Sequence, residues 1–493
     1  MAAPGVDGRV RFGEPAGRWV VLATVLGSGL AMLDATVVNV ALPRIGTDLD
    51  ADLAGLQWTL NGYTLTLAAF ILLGGSLADR LGRRRIFVVG TVWFAAASAL
   101  CGLAPNVETL VAARALQGIG GALLTPGSLA IITASFVPAD RGRAIGAWSG
   151  LGGIAGAAGP FVGGWIVEAT SWRWVFLINL PLAALVVWVA ARHVPESVDP
   201  TATGRLDVTG AGLGALGLAG ITYASIAGGE RGIDVAVVAA GLVGLAALVA
   251  FVLVERRTAA PLVPPGLFAS RQFTVTNAVT FAIYAAFGAV FFLLVLHLQV
   301  VAGFSPVAAG TAMLPTTLLL LLLSARTGAL AARIGPRLPM AAGPLLSAAG
   351  LLLTLRIGPD ASYVADVLPG VLVFGLGLAL LVAPLTAAVL AAAPGEHAGA
   401  ASGVNNAVAR TAGLLAVALL PPLAGLTGDV YRDPGAFADG FRTAILLCAG
   451  LLAAGGLLSA AFVRNDAGQD EGEHCYSCPV AGPHLETATR GRS

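Results

Sequence analysis

Lysine is absent from the 493 residues of this chain, and arginine supplies all 28 of its strongly basic side chains. A phosphate-cradling loop needs a Lys-Ser or Lys-Thr pair behind its glycines, so direct drive by ATP has no motif to rest on. Charge of either sign is scarce. Asp, Glu, Lys and Arg make up 11% of the chain against 57% hydrophobic residues, and mean hydropathy is +0.85. That ratio excludes a soluble domain and calls for a bilayer as solvent. A net charge of +1 gives no reason to expect nucleic acid as a partner. Only four cysteines occur. Cys101 and Cys448 sit in apolar runs and read as packing residues, while Cys475 and Cys478, with His474 and His484, lie in a polar tail. One CxxC on a short segment supports neither a disulfide framework nor a metal site, and none is expected. Nucleophile, base and metal ligands cluster nowhere, so neither an enzyme nor a cofactor is expected.

Long apolar runs are what the chain has instead. A membrane-spanning helix takes about 20 mostly apolar residues. Fourteen such runs are predicted, six at roughly 19–43, 55–77, 85–104, 108–134, 143–168 and 173–193. Two follow at 207–228 and 233–254, and six more at 273–302, 306–332, 338–356, 363–392, 398–427 and 441–463. The first run is too long for the core of a cleaved signal peptide and is read as a retained helix. The expected organisation is a cytoplasmic segment 1–18, a six-helix bundle 19–193, a linker 194–206, an inserted helix pair 207–254, a linker 255–272, a second six-helix bundle 273–463, and a disordered cytoplasmic tail 464–493. The fold class is therefore an all-α integral membrane protein, and a monomer is expected.

Arginine placement sets the orientation. With the amino terminus inside, eighteen arginines fall in inner segments, among them Arg80, Arg83 to Arg85, Arg141, Arg143, Arg333 and Arg337. Six fall in outer ones: Arg44, Arg173, Arg231, Arg356, Arg432 and Arg442. This bias puts both termini in the cytoplasm. The stretch Gly75, Leu77, Arg80, Gly82, Arg84 recurs as Gly328, Leu330, Arg333, Gly335, Arg337 at an offset of 253. A second echo, Gly118, Gly120, Ala122 to Leu124, recurs as Gly375, Gly377, Ala379 to Leu381. Both copies of the arginine loop fall on one side, so two parallel halves are predicted, with substrate bound between them near the midplane.

The first loop in full, Gly75-Ser76-Leu77-Ala78-Asp79-Arg80-Leu81-Gly82-Arg83-Arg84-Arg85, resembles the signature loop of the major facilitator superfamily. In that family the loop latches an inner gate. The resemblance implies Asp79 against the amino terminus of the helix starting near Ala398, with Asp140 as an alternative partner for the arginines. Arg114 to Gly121 resembles the fourth-helix motif, whose arginine is linked to proton transfer, and Gly156, Gly159, Pro160, Gly163 and Gly164 resemble the fifth-helix antiporter motif. The last match implies exchange rather than uptake, on a glycine face that lets helices roll closely on one another. Leu33 to Pro43 is similar to the first helix of the fourteen-helix drug:proton antiporter branch, and Trp172 to Phe176, Leu298-Gln299 and Asn405-Asn406 with Arg410 extend the likeness over roughly 30–415. His297 departs from it, standing where the family more often has an aromatic residue.

Charges deep in spanning helices cost about 2.5–3.5 kcal/mol on insertion scales, so Asp34, Arg114 and Arg410 need a compensating role. Asp34 is the expected proton carrier, with Arg114 modulating it; the alternative is an ion pair that only fixes the bundle. Asn39, Gln117, Asn405, Asn406 and Arg410 are expected to line the substrate cavity or to join helices by hydrogen bonds. His297 is read as a snorkelling or aromatic-like side chain near an outer helix end. Together these features imply a proton-coupled exporter of small organic compounds in the plasma membrane of a bacterium, partnered by substrate, protons and lipid. A symporter, or a receptor or lipid-handling protein on the same scaffold, is the alternative.

Overall fold

The computed structural model describes residues 10–199, 206–258, 261–393 and 398–465. Fourteen helices long and apolar enough to cross a membrane account for nearly all of them. The first six are α1 (Pro15–Asp48), α2 (Leu53–Leu81), α3 (Arg83–Gly102), α4 (Val107–Ser135), α5 (Pro138–Ala169) and α6 (Arg173–His193, with a turn at Ile178). An inserted pair follows, α7 (Val208–Arg231) and α8 (Val235–Glu255). The last six are α9 (Arg271–Val300), α10 (Pro306–Ile334), α11 (Arg337–Thr354), α12 (Tyr363–Ala391), α13 (Gly399–Leu423) and α14 (Pro434–Phe462).

Helix starts follow local chemistry. Asp52, Asn106, Asp207, Asp234 and Ser270 each accept a hydrogen bond from a backbone N–H of the first turn, and proline opens α1, α5, α10 and α14. This corrects the last span. It begins at Pro434, not near 441, because Asp433 caps it and Pro434 fits its first turn. Two expected spans also bend: α10 is interrupted at Met313, and α12 opens with a π turn over Tyr363–Val367.

The halves pack alike. In the first, α2 and α3 lie on α4, α5 and α6 on α1, and α3 on α6; in the second, α10 and α11 lie on α12, α13 and α14 on α9, and α11 on α14. Helix for helix this is one arrangement used twice, as parallel repeats require. The halves meet along two seams, α5 against the start of α10, and α2 against α13. The inserted α7 lies over the second seam, touching both α2 and α13, and α8 packs on α7.

Both ends of the described chain lie on one side, called here the termini face. Contacts between halves gather toward the far face: Gln57 Nε2 donates to Val417 O at 2.6 Å, Tyr431 OH to Ala51 O at 2.5 Å, Arg432 Nη2 to Asp50 Oδ1 at 2.8 Å, and Gln299 Nε2 to Val40 O at 3.2 Å. Along α13 exposure falls in the same direction. Asn406 is exposed, Arg410 half-buried, and Leu414 and Ala418 fully buried. The space between the halves is thus shut at the far face and opens toward the termini.

Candidate functional site

Asp34 on α1, Ser98 on α3, Arg114 and Gln117 on α4 and Asn179 on α6 are all buried in the first half. Arg114 Nη1 donates to Asp34 Oδ2 at 2.6 Å, while Gln117 Nε2 and Asn179 Nδ2 donate to Asp34 Oδ1 at 2.8 and 3.0 Å. Arg114 Nη1 also reaches Gln117 Oε1 at 2.6 Å, and its Nε donates to Thr59 O at 3.1 Å. Ser98 Oγ accepts from Gln117 and Asn179 and donates to Phe176 O. Tyr63 lies under the guanidinium, 4.4 Å from ring centre to Cζ. Two helices, α4 and α6, thereby hold the one carboxylate of α1 by three donors, with Ser98 of α3 behind them, so that a proton arriving there has an existing set of bonds to displace.

Asp34 and Arg114 are thus brought into one ion pair. Gln117, expected to line the substrate cavity or to join helices by hydrogen bonds, does the second: it is buried and its amide on α4 donates to Asp34 on α1. Asn179 and Ser98 were not singled out as site residues in the sequence; neutral polar side chains in spanning helices carry no signal of their own.

The remaining candidates divide between the space separating the halves and the interior of the second half. Arg410 Nε donates to Asn406 Oδ1 at 3.1 Å, and no ion pair to Arg410 is found among the described residues. Its electrostatic neighbours are Tyr63 from the first half and Tyr284 from the second. Asn405 Nδ2 instead joins α13 to α9 through Asn277 Oδ1 and Thr280 Oγ1. Asn39 donates to Ala35 O of its own helix and lines a small space with Pro160, Phe291 and Gly310. His297 is buried, with Nε2 at 3.0 Å from Ile357 O and its ring stacked 3.8 Å from Phe441, so it does not snorkel and fills an aromatic place.

The α5 glycines serve two contacts: Gly156, Gly159 and Gly163 face α1 of the same half, and Gly164 faces α10 across the seam between the halves. A methyl group added to Gly163 would lie 3.0 Å from Val37 Cα, and one added to Gly164 2.6 Å from Val307 Cα across the seam. Gly159 is crowded by Thr36 Oγ1, and Pro160 O lies against Gly310. Gly156 stands freer, with Met32 Cβ 4.0 Å from that position.

In the arginine loop, Gly75 faces Pro126 and Gly82 takes φ +111°, a conformation that suits glycine. Asp79 pairs with Arg83 at 2.8 Å, and Arg80 has interactions of its own. The expected partner of Asp79, the helix start near Ala398, follows residues 394–397, which lie outside the described set. Asp140 is corrected: it accepts from Phe12 N at 3.1 Å and approaches Arg143, because the segment at Val10 pairs with Phe136 beside it. Two acids of the following linker reach the loop: Glu196, whose oxygens accept from Arg84 N and Arg85 N at 3.1 Å and lie 3.6 Å from Arg84 Nε, and Asp199, 3.9 Å from Arg83 Nη2. Asn465 repeats this after α14, accepting from Arg337 N at 3.1 Å. The tail residues Cys475 and Cys478 lie outside the described residues.

A cavity of about 850 Å³ opens on the far face between α2, α4 and α7, lined by Asp52, Trp58, Glu108, Ala115 and Glu230. It is separate from the Asp34 cluster. At its rim the Tyr431 hydroxyl, and after it the Asp50 carboxylate, push the Arg432 guanidinium above its already high pKa.

Against known proteins, a family model described as Major Facilitator Superfamily matches residues 24–417. The chain is 35% identical to the puromycin resistance protein pur8 of Streptomyces alboniger, over 96% of this chain and 97% of the relative. It is 37% identical to a probable actinorhodin transporter of Streptomyces coelicolor, over 86% and 76% respectively. Among solved structures, the crystal structure of the POT family transporter PepTSo superposes with a TM-score of 0.66 at 16% identity, covering 92% of this chain and 98% of that one; it speaks for the fold alone.

Proposed function

The chain belongs to the major facilitator superfamily of membrane transporters, which are not enzymes and use no cofactor, and from that premise we propose that it exports small organic molecules in exchange for protons. The observation that carries this reading is the buried Asp34 held by Arg114, Gln117 and Asn179. In a low-dielectric bundle such a carboxylate can trade its three donors for one proton, and nothing else described in the first half offers a comparable titratable centre. Export is supported by relatives named for antibiotic resistance and transport and by the α5 glycine seam.

The arginine bias makes the termini face cytoplasmic. The conformation described is then the inward-open one, ready to load substrate beside Arg410, Asn406 and Tyr284. Arg410, with no ion pair among the described residues, meets an acceptor or acidic group of the substrate. After the halves rock, substrate leaves outward and Asp34 takes a proton; its release inside resets the cavity. The Asp79 loop and Glu196 hold the inner turn, and one chain contains the whole path, so the working unit is a monomer.

Everted vesicles carrying Asp34→Asn are expected to show no gradient-driven uptake of a fluorescent substrate such as ethidium, with insertion unchanged. Uptake equal to wild type, collapsing alike on addition of a protonophore, removes Asp34 from the coupling step. Dye accumulation rather than expulsion in energised cells excludes export in favour of symport.

A further inference from the structure

The inserted pair ends, on the termini face, in two buried carboxylates that the transport cycle does not use. Asp207 precedes α7 and is 8% exposed; Glu255 ends α8 and is 4% exposed. Each commits one oxygen to backbone. Asp207 Oδ1 accepts from Gly210 N at 2.7 Å, and Glu255 Oε2 from Val263 N at 3.0 Å. The other two oxygens, Asp207 Oδ2 and Glu255 Oε1, are buried without a hydrogen-bond partner. They converge on one spot. A methyl group placed on Gly210 would lie 2.5 Å from the first and 2.8 Å from the second.

No ion pair among the described residues reaches either group. Arg256 and Arg257, next along the chain, are exposed. Of the helices packed on α7, α2 brings Asp79, already paired with Arg83, and Arg80, while α13 brings Arg410 in mid-membrane. The other ionisable groups of the pair, Tyr223, Glu230, Arg231 and Asp234, lie toward its far-face end.

Two carboxylates brought together away from water cannot both stay charged, whereas one proton between them removes the repulsion and satisfies both orphan oxygens. We propose that Asp207 and Glu255 form a second proton-binding site, a carboxylic acid of one donating to the carboxylate of the other, independent of Asp34. The site closes a clasp. Val263, bonded to Glu255, packs with Leu267, Phe273, Val389, Ala401 and Val404, so the linker it fastens lies against the ends of α12 and α13. Loss of the proton leaves two like charges facing each other and frees that linker. On the orientation proposed above the clasp answers to cytoplasmic pH; the proton site itself does not rest on that reading.

Glu255→Gln puts an amide donor where the shared proton stands, and Asp207→Asn does so from the other side while still capping α7. Melting of the purified full chain in detergent is followed from acidic to alkaline buffer for wild type, both variants and Asp34→Asn. The folded pair keeps a proton that unfolded carboxylates release, so wild-type stability is expected to fall as pH rises through the loss of that proton. Glu255→Gln and Asp207→Asn should lack this fall, and Asp34→Asn should keep it. A protonated-carboxyl infrared band present in wild type and Asp34→Asn and missing from Glu255→Gln detects the shared proton directly, without melting. Variant profiles superimposable on wild type overturn the proposal. So does stabilisation of wild type by sodium or potassium over choline at fixed pH that either variant abolishes, which assigns the site to a metal cation. Neither readout needs transport, so failure of the exporter reading leaves this result standing.

Discussion

Asp34 is surrounded by donors from other helices, and the worth of each differs. Removing Arg114 leaves a buried carboxylate with no counter-charge, a change that costs about 3–5 kcal/mol where buried pairs are broken. Arg114→Ala should therefore lower the yield of folded protein as well as efflux. Asn179→Ala removes one neutral donor, about 1–2 kcal/mol, and should leave folding intact while shifting the pH dependence of efflux, measured as dye export rate across external pH. An unshifted profile places Asn179 outside the proton site. The sequence announces Asp34 and Arg114 because a charge inside an apolar run is conspicuous. It hides Ser98 and Asn179, whose roles exist only once α3 and α6 stand beside α1. Gln117 was legible as polar but not as to its side of the helix, since α4 is apolar nearly all round and its pattern names no inward face.

At the scale of elements, the α5 seam depends on absent side chains. Gly164→Val puts branched carbons where Val307 backbone stands, so the halves must part there. Export should fall about tenfold or more with membrane insertion unchanged, read by comparing efflux rate with protein level. The arginine loop depends on its cap. Glu196→Ala uncovers the N–H groups of Arg84 and Arg85 and should lower stability by about 1 kcal/mol, seen as a drop in melting temperature that Glu196→Gln partly restores. Both loops were legible as repeats because the glycines and arginines recur at equal spacing. Their caps were not: Glu196 and Asn465 differ in type, each lies beyond the helix that ends its half, and hydropathy says nothing about linkers. Helix boundaries slipped for a related reason at Pro434, where cap chemistry rather than apolar content decides the start.

For the whole molecule, the far-face seal predicts a lock. With the native cysteines replaced by serine, Asp50→Cys and Arg432→Cys joined by a short cleavable thiol cross-linker should hold the far face shut and stop export, and cleavage should restore it. Export that continues through the cross-linked form shows that the seal does not have to open. The inserted pair adds a mechanical consequence. Because α7 rests on α2 and α13 together, any rotation of one bundle against the other drags it along with one neighbour and shears it past the other. The sliding surface is built of small and aliphatic groups, Leu65 and Ala68 with Leu218 and Leu414, which offer little friction because no hydrogen bond among them has to be broken and remade. If the halves rock as proposed, such a helix would act as a flexible gasket, keeping lipid tails out of the joint between α2 and α13 at each stroke.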